Sequence, residues 1–434
     1  MKSKKITVSL KQLKFLGAGF VFLFLTFFAF ALIEGKFLAK ASDTEQENAT
    51  ATPFLPSAAE NQLPATPAPG TPGTATRPTV VYEGGAYPTT LPETLPTLPN
   101  ISPFSLPDGI NPLTGMPPAA PQYLQRRPIA SKVTLYPRST RPQSGLTLAD
   151  VVYEYYIEAG LSRFIAVFYG NDAQQVGPVR SGRFFDEHIA RMYQSYLVFK
   201  YADPRVYDHL KATDINDFLV VPGNTACPPF FIGIDDRDTY NNIFFNTTKF
   251  ADCLDKRGKD NSPPDFRAGY FSQSPPLYAE PALSVFARYS HDDYHYWGYN
   301  QLTHKYYRHQ ESNGTREGDP PNYAPLIDDL TGQQVSADNL VYLFVLHRFE
   351  DQFQEEDEVY HIDLIGSGKA YLFRDGIVLP AYWQRTETDQ PLLLTDPNGM
   401  PISLKPGNTF YEVLGKNSLV SEQNAQWHFQ FETP

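Results

Sequence analysis

The sequence predicts an α/β or α+β globular domain over 111–275, followed by a mostly antiparallel β domain over 276–434. A single N-terminal transmembrane helix and a disordered linker are expected to carry both. Three features support this: an apolar stretch at Phe15–Ile33, a Pro- and Thr-rich tract over 34–110, and a change of hydrophobic period in the remainder. Strand and helix periods alternate up to about residue 275, whereas only strand-like runs follow Ala337. That succession is the pattern of a mixed layer and then an all-β layer.

Residues 1–14 hold five lysines and no acid and read as a cytoplasmic tail under the positive-inside rule. Phe15 to Ile33 is apolar apart from Thr26. As a helix it would span about 28 Å, the thickness of a hydrocarbon core. Signal peptides have shorter apolar regions, so an uncleaved anchor is favoured and the membrane is the expected partner there. Ala39-Lys40-Ala41 resembles a small-x-small cleavage site, which keeps a cleaved signal open. Residues 34–110 contain 13 Pro and 12 Thr. With few large apolar side chains they cannot offset the entropy of ordering, and they read as an extended stalk.

The chain carries a net charge of −12. Because the residues before Glu34 carry five lysines and no acid, everything from there on carries −17. Such a field repels phosphate backbones, so no nucleic-acid partner is expected. Cys227 and Cys253 are the two cysteines, too few for a Cys-based zinc site or a disulfide-rich scaffold. In an oxidising compartment they are expected to form one disulfide across an irregular, Pro-rich loop.

Within 111–275, Ala130–Tyr136 reads as a strand, and Val151–Ile157 and Leu161–Tyr169 as a hairpin turned at Glu158-Ala159-Gly160. Residues 184–195 change to helical spacing. Tyr196–Tyr201 returns to strand, and Pro204 opens a short helix through Lys211. Between strand and first helix lies Gly177-Pro178-Val179-Arg180-Ser181-Gly182-Arg183. Ser181 is a candidate helix cap, and Arg180 and Arg183 beside a helix start make a candidate anion site. The competing reading pairs Arg180 with Glu154 or Asp150 of the hairpin, with Asp186 and Glu187 already satisfying the helix end. Arg141, Gln143 and Ser144 form a second polar loop that could face the same cleft.

Arg141-Pro142-Gln143-Ser144-Gly145-Leu146, Ala149-Asp150-Val151-Val152-Tyr153-Glu154, Ser162-Arg163-Phe164 and Gly177-Pro178-Val179-Arg180-Ser181 occur in that order. Together with Asn111-Pro112-Leu113-Thr114-Gly115, Ile362–Tyr371 and Leu404–Thr409, they resemble the YerB-like lipoproteins, a bacterial family whose two domains have no known function. The resemblance covers about 111–425. It implies a membrane-attached extracytoplasmic protein and transfers no reaction. Where the family pattern has a His before a Gly-Gly-Ser-Pro turn, this chain has Phe199-Lys200-Tyr201-Ala202-Asp203-Pro204. Where the family has Pro-His-Asn, this chain has Phe244-Phe245-Asn246. The lipobox Cys is also absent, which puts any imidazole chemistry or thiol lipidation in doubt.

In 276–434, Leu340–Leu346, Val359–Leu364, Lys369–Phe373, Ile377–Trp383, Leu392–Leu394 and Phe410–Leu414 read as strands, with hairpin turns at Asp375-Gly376 and Asn398-Gly399. Most of the aromatics there are expected in the core. His291-Asp292-Asp293-Tyr294-His295 reads as strand, which would separate the two imidazoles by about 13 Å. No metal is expected from it unless the chain turns at Asp292-Asp293. The acidic run Glu350–Glu358 reads as a solvated loop without calcium-loop spacing. No cofactor is expected.

These features favour a non-catalytic envelope protein that binds a wall polymer, an anionic small ligand or another envelope protein. No Gly-x-Ser-x-Gly, Walker or zincin motif is present. The alternative is an envelope enzyme acting on phosphate- or carboxylate-bearing glycans. Arg180 and Arg183 would clamp the anion, and Glu154 or Asp150 would be the acid–base group.

Overall fold

A computed structural model describes residues 106–433, apart from 224–226, 234–240, 265–269, 277–278, 313–319 and 352–358. The expected anchor at Phe15–Ile33, the tract over 34–105 and most of the acidic run lie outside the described residues. Among the described residues no helix is long and apolar enough to cross a membrane.

The first region supplies β1 (Ile129–Thr134), β2 (Val151–Glu158), β3 (Leu161–Phe168), β4 (Tyr196–Val198), β5 (Leu219–Val220), β6 (Phe230–Ile232) and β7 (Ile243–Phe245). Its helices are α1 (Phe185–Met192), α2 (Pro204–Ala212) and α3 (Phe250–Lys256). The second region begins with β8 (Glu280–Pro281), β9 (Ser284–Arg288), β10 (Tyr294–Asn300), β11 (Lys305–Glu311), β12 (Tyr323–Pro325) and β13 (Ser336–Ala337). It continues with β14 (Asn339–Val345), β15 (His347–Phe349), β16 (Tyr360–Ile362), β17 (Gly366–Arg374) and β18 (Ile377–Arg385). β19 (Leu393–Thr395), β20 (Thr409–Gly415), β21 (Leu419–Gln423) and β22 (Gln426–Gln430) complete it.

Strands of both regions share an 11-stranded sheet in the order β19-β18-β17-β14-β20-β2-β3-β1-β4-β5, with β8 beside β18. A 7-stranded sheet runs β12-β11-β10-β9-β22-β21, with β13 beside β11. The expected hairpins form: Ala159 and Gly160 have φ of 53° and 72°, and Asp375 and Gly376 have 53° and 77°. Paired positive φ values are those of the tight turns that match strand twist, and Gly adopts them without a Cβ penalty. The antiparallel expectation holds for β17–β18 and β10–β11. It fails for β20, which runs parallel to both β14 and β2, and for β22, which runs parallel to β9. Alternation fixes which face a strand buries but not which chain-distant strand it joins.

Period-2 alternation makes β2 two-faced. Tyr153 and Tyr155 pack on Phe185 of α1, at ring distances of 6.2 and 4.4 Å. On the other face Tyr156 stacks on Phe431 at 4.6 Å and Glu154 meets Arg308 of β11. Around β2 the layers are therefore helix, large sheet and small sheet. Trp297, Trp383 and Trp427 are all buried, as are most tyrosines of the second region's long strands. The smaller sheet also carries a row of rings in direct register, His428, Phe286, Tyr296 and His309, stacked at 4.5, 5.2 and 4.4 Å. Cross-strand ring pairs of this kind help to fix register.

α1 is shorter than the expected 184–195, and its contact with the far end of β18 carries a pH-dependent element. Arg385 donates from Nη1 to His188 Nδ1 (3.1 Å) and to the Leu364 carbonyl (2.7 Å). Burial, and then Arg385, push the His188 pKa down to about 4. The unfolded chain takes up this proton below about pH 6.5 and the native state does not, so stability is intact above 6.5 and falls toward 4. His188→Gln should therefore gain on the wild type by up to about 2 kcal/mol between pH 7.5 and pH 5. Denaturant unfolding at the two pH values would measure this, and a pH-independent difference would refute it.

Candidate functional site

Charged side chains gather on both faces of the β2–β3 hairpin, deep in the molecule. On the helix side, Lys132 of β1 is buried, with Nζ 3.0 Å from Asp186 Oδ1. The Tyr155 hydroxyl donates to the same oxygen at 2.5 Å and also contacts the Lys132 ammonium. Burial dominates and lowers the Lys132 pKa to about 7, although Asp186 opposes it.

Arg163 of β3 shares this face. Its Nη1 donates to the Ser181 carbonyl at 3.0 Å, while its buried Nε has no hydrogen-bond partner among the described residues. Its pKa is pushed down to about 9, first by burial and then by Arg183, with Arg180 adding to the repulsion and Glu158 opposing it. Arg183 is held by Glu158, with Nε 3.0 Å from Oε2 and Nη2 on the same carboxylate. A register shift between Tyr156 and Glu158 precedes this pair, the kind of irregularity that re-aims a side chain.

Arg163, Arg180 and Arg183 thus lie near one another, and Arg163 has a backbone carbonyl but no carboxylate as partner among the described residues. Ser181 does not cap α1. The cap position is Phe184, without a side-chain bond, and Asp186 Oδ2 instead accepts from the Arg183 amide at 2.8 Å. The acid inside the first turn takes the orphan donor that a Ser at the cap would have taken.

The other predicted residues do not converge on this cluster. Asp150 accepts from the Tyr169 and Gly170 amides at 2.6 and 2.8 Å and from Asn111 Nδ2 at 3.0 Å. Burial nevertheless raises its pKa to about 6. Arg141 donates to the Glu311 carbonyl and carboxylate, at 2.5 Å each. Gln143 Nε2 donates to the Thr134 carbonyl at 3.0 Å, and Ser144 Oγ accepts from Gln175 Nε2 at 2.8 Å. Their loop is tied to the second region, because the Gly145 and Thr147 amides donate to Asp328 at 3.0 and 2.8 Å. It braces the two regions against each other.

Glu154 points to the opposite face, where the parallel register sets it directly beside Glu412 of β20. Both are fully buried. Arg308 crosses from the smaller sheet, with Nη1 2.6 Å from Glu154 Oε2 and 3.1 Å from Glu412 Oε1. Gln310 Oε1 fixes the other side of that guanidinium, 3.0 Å from Nε and 2.7 Å from Nη2. Trp297 Nε1 and His295 Nε2 approach Glu412 Oε1 at 3.2 and 3.1 Å, and Ser162 Oγ donates to Glu154 Oε1 at 2.6 Å. Burial raises the pKa of both glutamates despite Arg308, and burial with Arg308 pushes His295 down to about 3.

The histidine string is not one strand. The Ser290 hydroxyl accepts from the Asp292 and Asp293 amides at 3.1 and 3.2 Å and turns the chain between β9 and β10, a Ser-stabilised turn. His291 stays exposed at the tip beside Asp292, whereas Asp293 and His295 enter the interior. The ligand atoms of Glu154, Asp293 and His295 all lie within 4.8 Å of one another. Arg163, Glu412 and Arg308 were not among the predicted site residues. For Arg308 the signal was its place in phase with the buried Tyr306 and Gln310 of β11.

Cys227 and Cys253 are joined in a disulfide, with Cα atoms 5.5 Å apart.

Residues 113–260 match the domain described as protein of unknown function (DUF3048) N-terminal domain, and 285–411 match the corresponding C-terminal domain. The chain is 26% identical over 313 residues to "Putative lipoprotein YerB" of Bacillus subtilis (strain 168), covering 70% of this chain and 83% of that protein. A crystal structure of YerB from Bacillus subtilis is similar, with a TM-score of 0.56 and 21% identity over 70% of this chain and 96% of that one. That likeness concerns the fold alone.

Proposed function

Because this chain belongs to the DUF3048 family and is similar to "Putative lipoprotein YerB" of Bacillus subtilis, we propose that it is a membrane-tethered extracytoplasmic protein whose folded body binds an anionic envelope ligand without transforming it. The tether in this reading is Phe15–Ile33, and the Pro/Thr-rich tract gives reach. The relative's name as a lipoprotein supports the same location by a different attachment. The Cys227–Cys253 disulfide suits an oxidising compartment.

The observation that carries the binding role is Arg163. It is a buried guanidinium with a backbone carbonyl but no carboxylate partner among the described residues, set beside Arg180 and Arg183. A phosphate or carboxylate on a wall polymer would relieve that repulsion and accept bidentate hydrogen bonds. The nearby acids Glu158 and Asp186 are engaged by Arg183 and by Lys132 with Tyr155. The enzymatic alternative gains no support from them, and Glu154 faces the other side of the sheet.

The test is a thermal-shift titration of the full chain in detergent with a polyol-phosphate wall polymer, a uronic-acid polymer and a neutral glycan. Saturation at a hundred times Kd stabilises by about 2.7 kcal/mol, so a Tm rise of a few degrees with an anionic polymer is expected. Arg180→Ala should abolish that rise, each protein being compared with its own ligand-free Tm. An undiminished response in the variant, or none to either anionic polymer in the wild type, would overturn the reading.

A further inference from the structure

Arg308 is packed among several buried carboxyl groups. Glu311 is met by Arg141 and Arg138 from the first region. Arg308 is left with Glu154 and Glu412 in direct contact and Asp293 in the same buried cluster. Asp293 is fully buried, and its Oδ2 accepts from the Ser162 amide at 2.5 Å. Its Oδ1 has no partner among the described residues. Two positions further along, His295 is equally buried. Its Nε2 is fixed by Glu412 at 3.1 Å, while its Nδ1 has no hydrogen-bond partner among the described residues and stands 4.0 Å from Glu154 Oε1.

We propose that Glu154, Asp293 and His295 bind one divalent transition-metal ion, Zn2+ by preference. One imidazole nitrogen and two carboxylate oxygens form a mixed donor set that suits zinc better than the all-oxygen shells of calcium and magnesium. One ligand atom from each of the three lies inside a 4.8 Å span, and His295 Nδ1 and Asp293 Oδ1 have no hydrogen-bond partner among the described residues. Tetrahedral ligation at zinc distances needs ligand atoms roughly 3.3 Å apart, so a modest closure of the three side chains supplies three of the four positions and leaves the fourth to a water. The outer contacts are those that such sites use. Glu412 orients the imidazole through its far nitrogen, Ser162 braces both Glu154 and Asp293, and Arg308 keeps Glu154 Oε2 so that Oε1 is turned to the ion. With all three protein ligands buried, the ion is held inside the fold and is trapped as the sheets close. This site lies on the opposite face of the hairpin from the guanidiniums and stands or falls independently of the anion reading.

The full chain, purified in detergent and dialysed against metal-free buffer, is to be assayed for bound metal by plasma mass spectrometry beside Asp293→Asn, a near-isosteric change. About one zinc per wild-type chain is expected, falling at least tenfold in D293N. Chelator should lower the Tm of the wild type but leave that of D293N unmoved. A metal-free wild type that zinc does not stabilise, with D293N as stable or more so, would mean that Asp293 simply holds a proton, and the proposal fails. Should D293N not fold, Co2+ added to stripped wild type decides instead. Visible d–d bands support the site, and their absence overturns it.

Discussion

Arg308→Leu is expected to destabilise the folded body by about 3–5 kcal/mol, the range for removing one partner of a buried ion pair. The guanidinium sits between two glutamates that the parallel β2–β20 register places side by side, 2.6 Å from one and 3.1 Å from the other. Leucine fills part of the space but leaves Glu154, Glu412 and Asp293 in a desolvated interior without that cation. They must then take up protons or admit water, and either costs folding energy. The Tm should fall by the order of 10 °C, given roughly 2–4 °C per kcal/mol for domains above 150 residues. Pairing the change with Glu412→Gln should recover part of the loss, because one uncompensated charge goes with it. A double-mutant cycle would show this as strong non-additivity. An R308L protein within about 1 kcal/mol of wild type, a typical loss for an ordinary point mutation, would mean that the ionic cluster does not hold the sheets together.

Removing the disulfide should cost nearly as much. Cys253 lies on α3 in a small core with Ile129, Val179, Tyr196, Val198, Phe245, Phe250 and Leu254, and Cys227 packs against it from the preceding loop. Opening a loop of this length releases about 3–4 kcal/mol of denatured-state entropy in the chain-entropy model. The Cys227→Ser, Cys253→Ala pair should therefore unfold at markedly lower denaturant. Reductant should shift the wild type toward the variant and leave the variant unchanged. Two free thiols in unreduced protein recovered from cells, or a reductant-insensitive wild type, would contradict this.

Much of the local structure could be read from residue order. Alternation in Val151–Ile157 and Leu161–Tyr169, closed by Ala159-Gly160, gave the β2–β3 hairpin, and Asp375-Gly376 gave β17–β18. Helical spacing placed α1, and the two cysteines gave the bridge. α3, at seven residues, is too short for a period to show. Its trace in the sequence was Asn246, whose side chain accepts from the Thr248 amide at 3.0 Å and starts the turn into it. The central insertion of β20 was not legible, because a strand's own pattern says nothing of its partner, and the Glu154–Glu412 contact depends wholly on that insertion. The histidine string was misjudged for a local reason. Ser290 reads as a neutral residue in an alternating run, yet its hydroxyl binds two amides and turns Asp293 and His295 inward together.

The proposed anchor lies outside the described residues, and the binding reading and the need for a disulfide both presuppose a body beyond the membrane. Protease added to intact cells producing the full chain with a C-terminal tag measures this directly. The account predicts that the tagged chain pellets with membranes and that external protease cleaves within the Pro/Thr-rich tract, releasing a resistant folded fragment into the medium. Full-length chain in the cytosol, shielded from protease until the cells are broken, would contradict it.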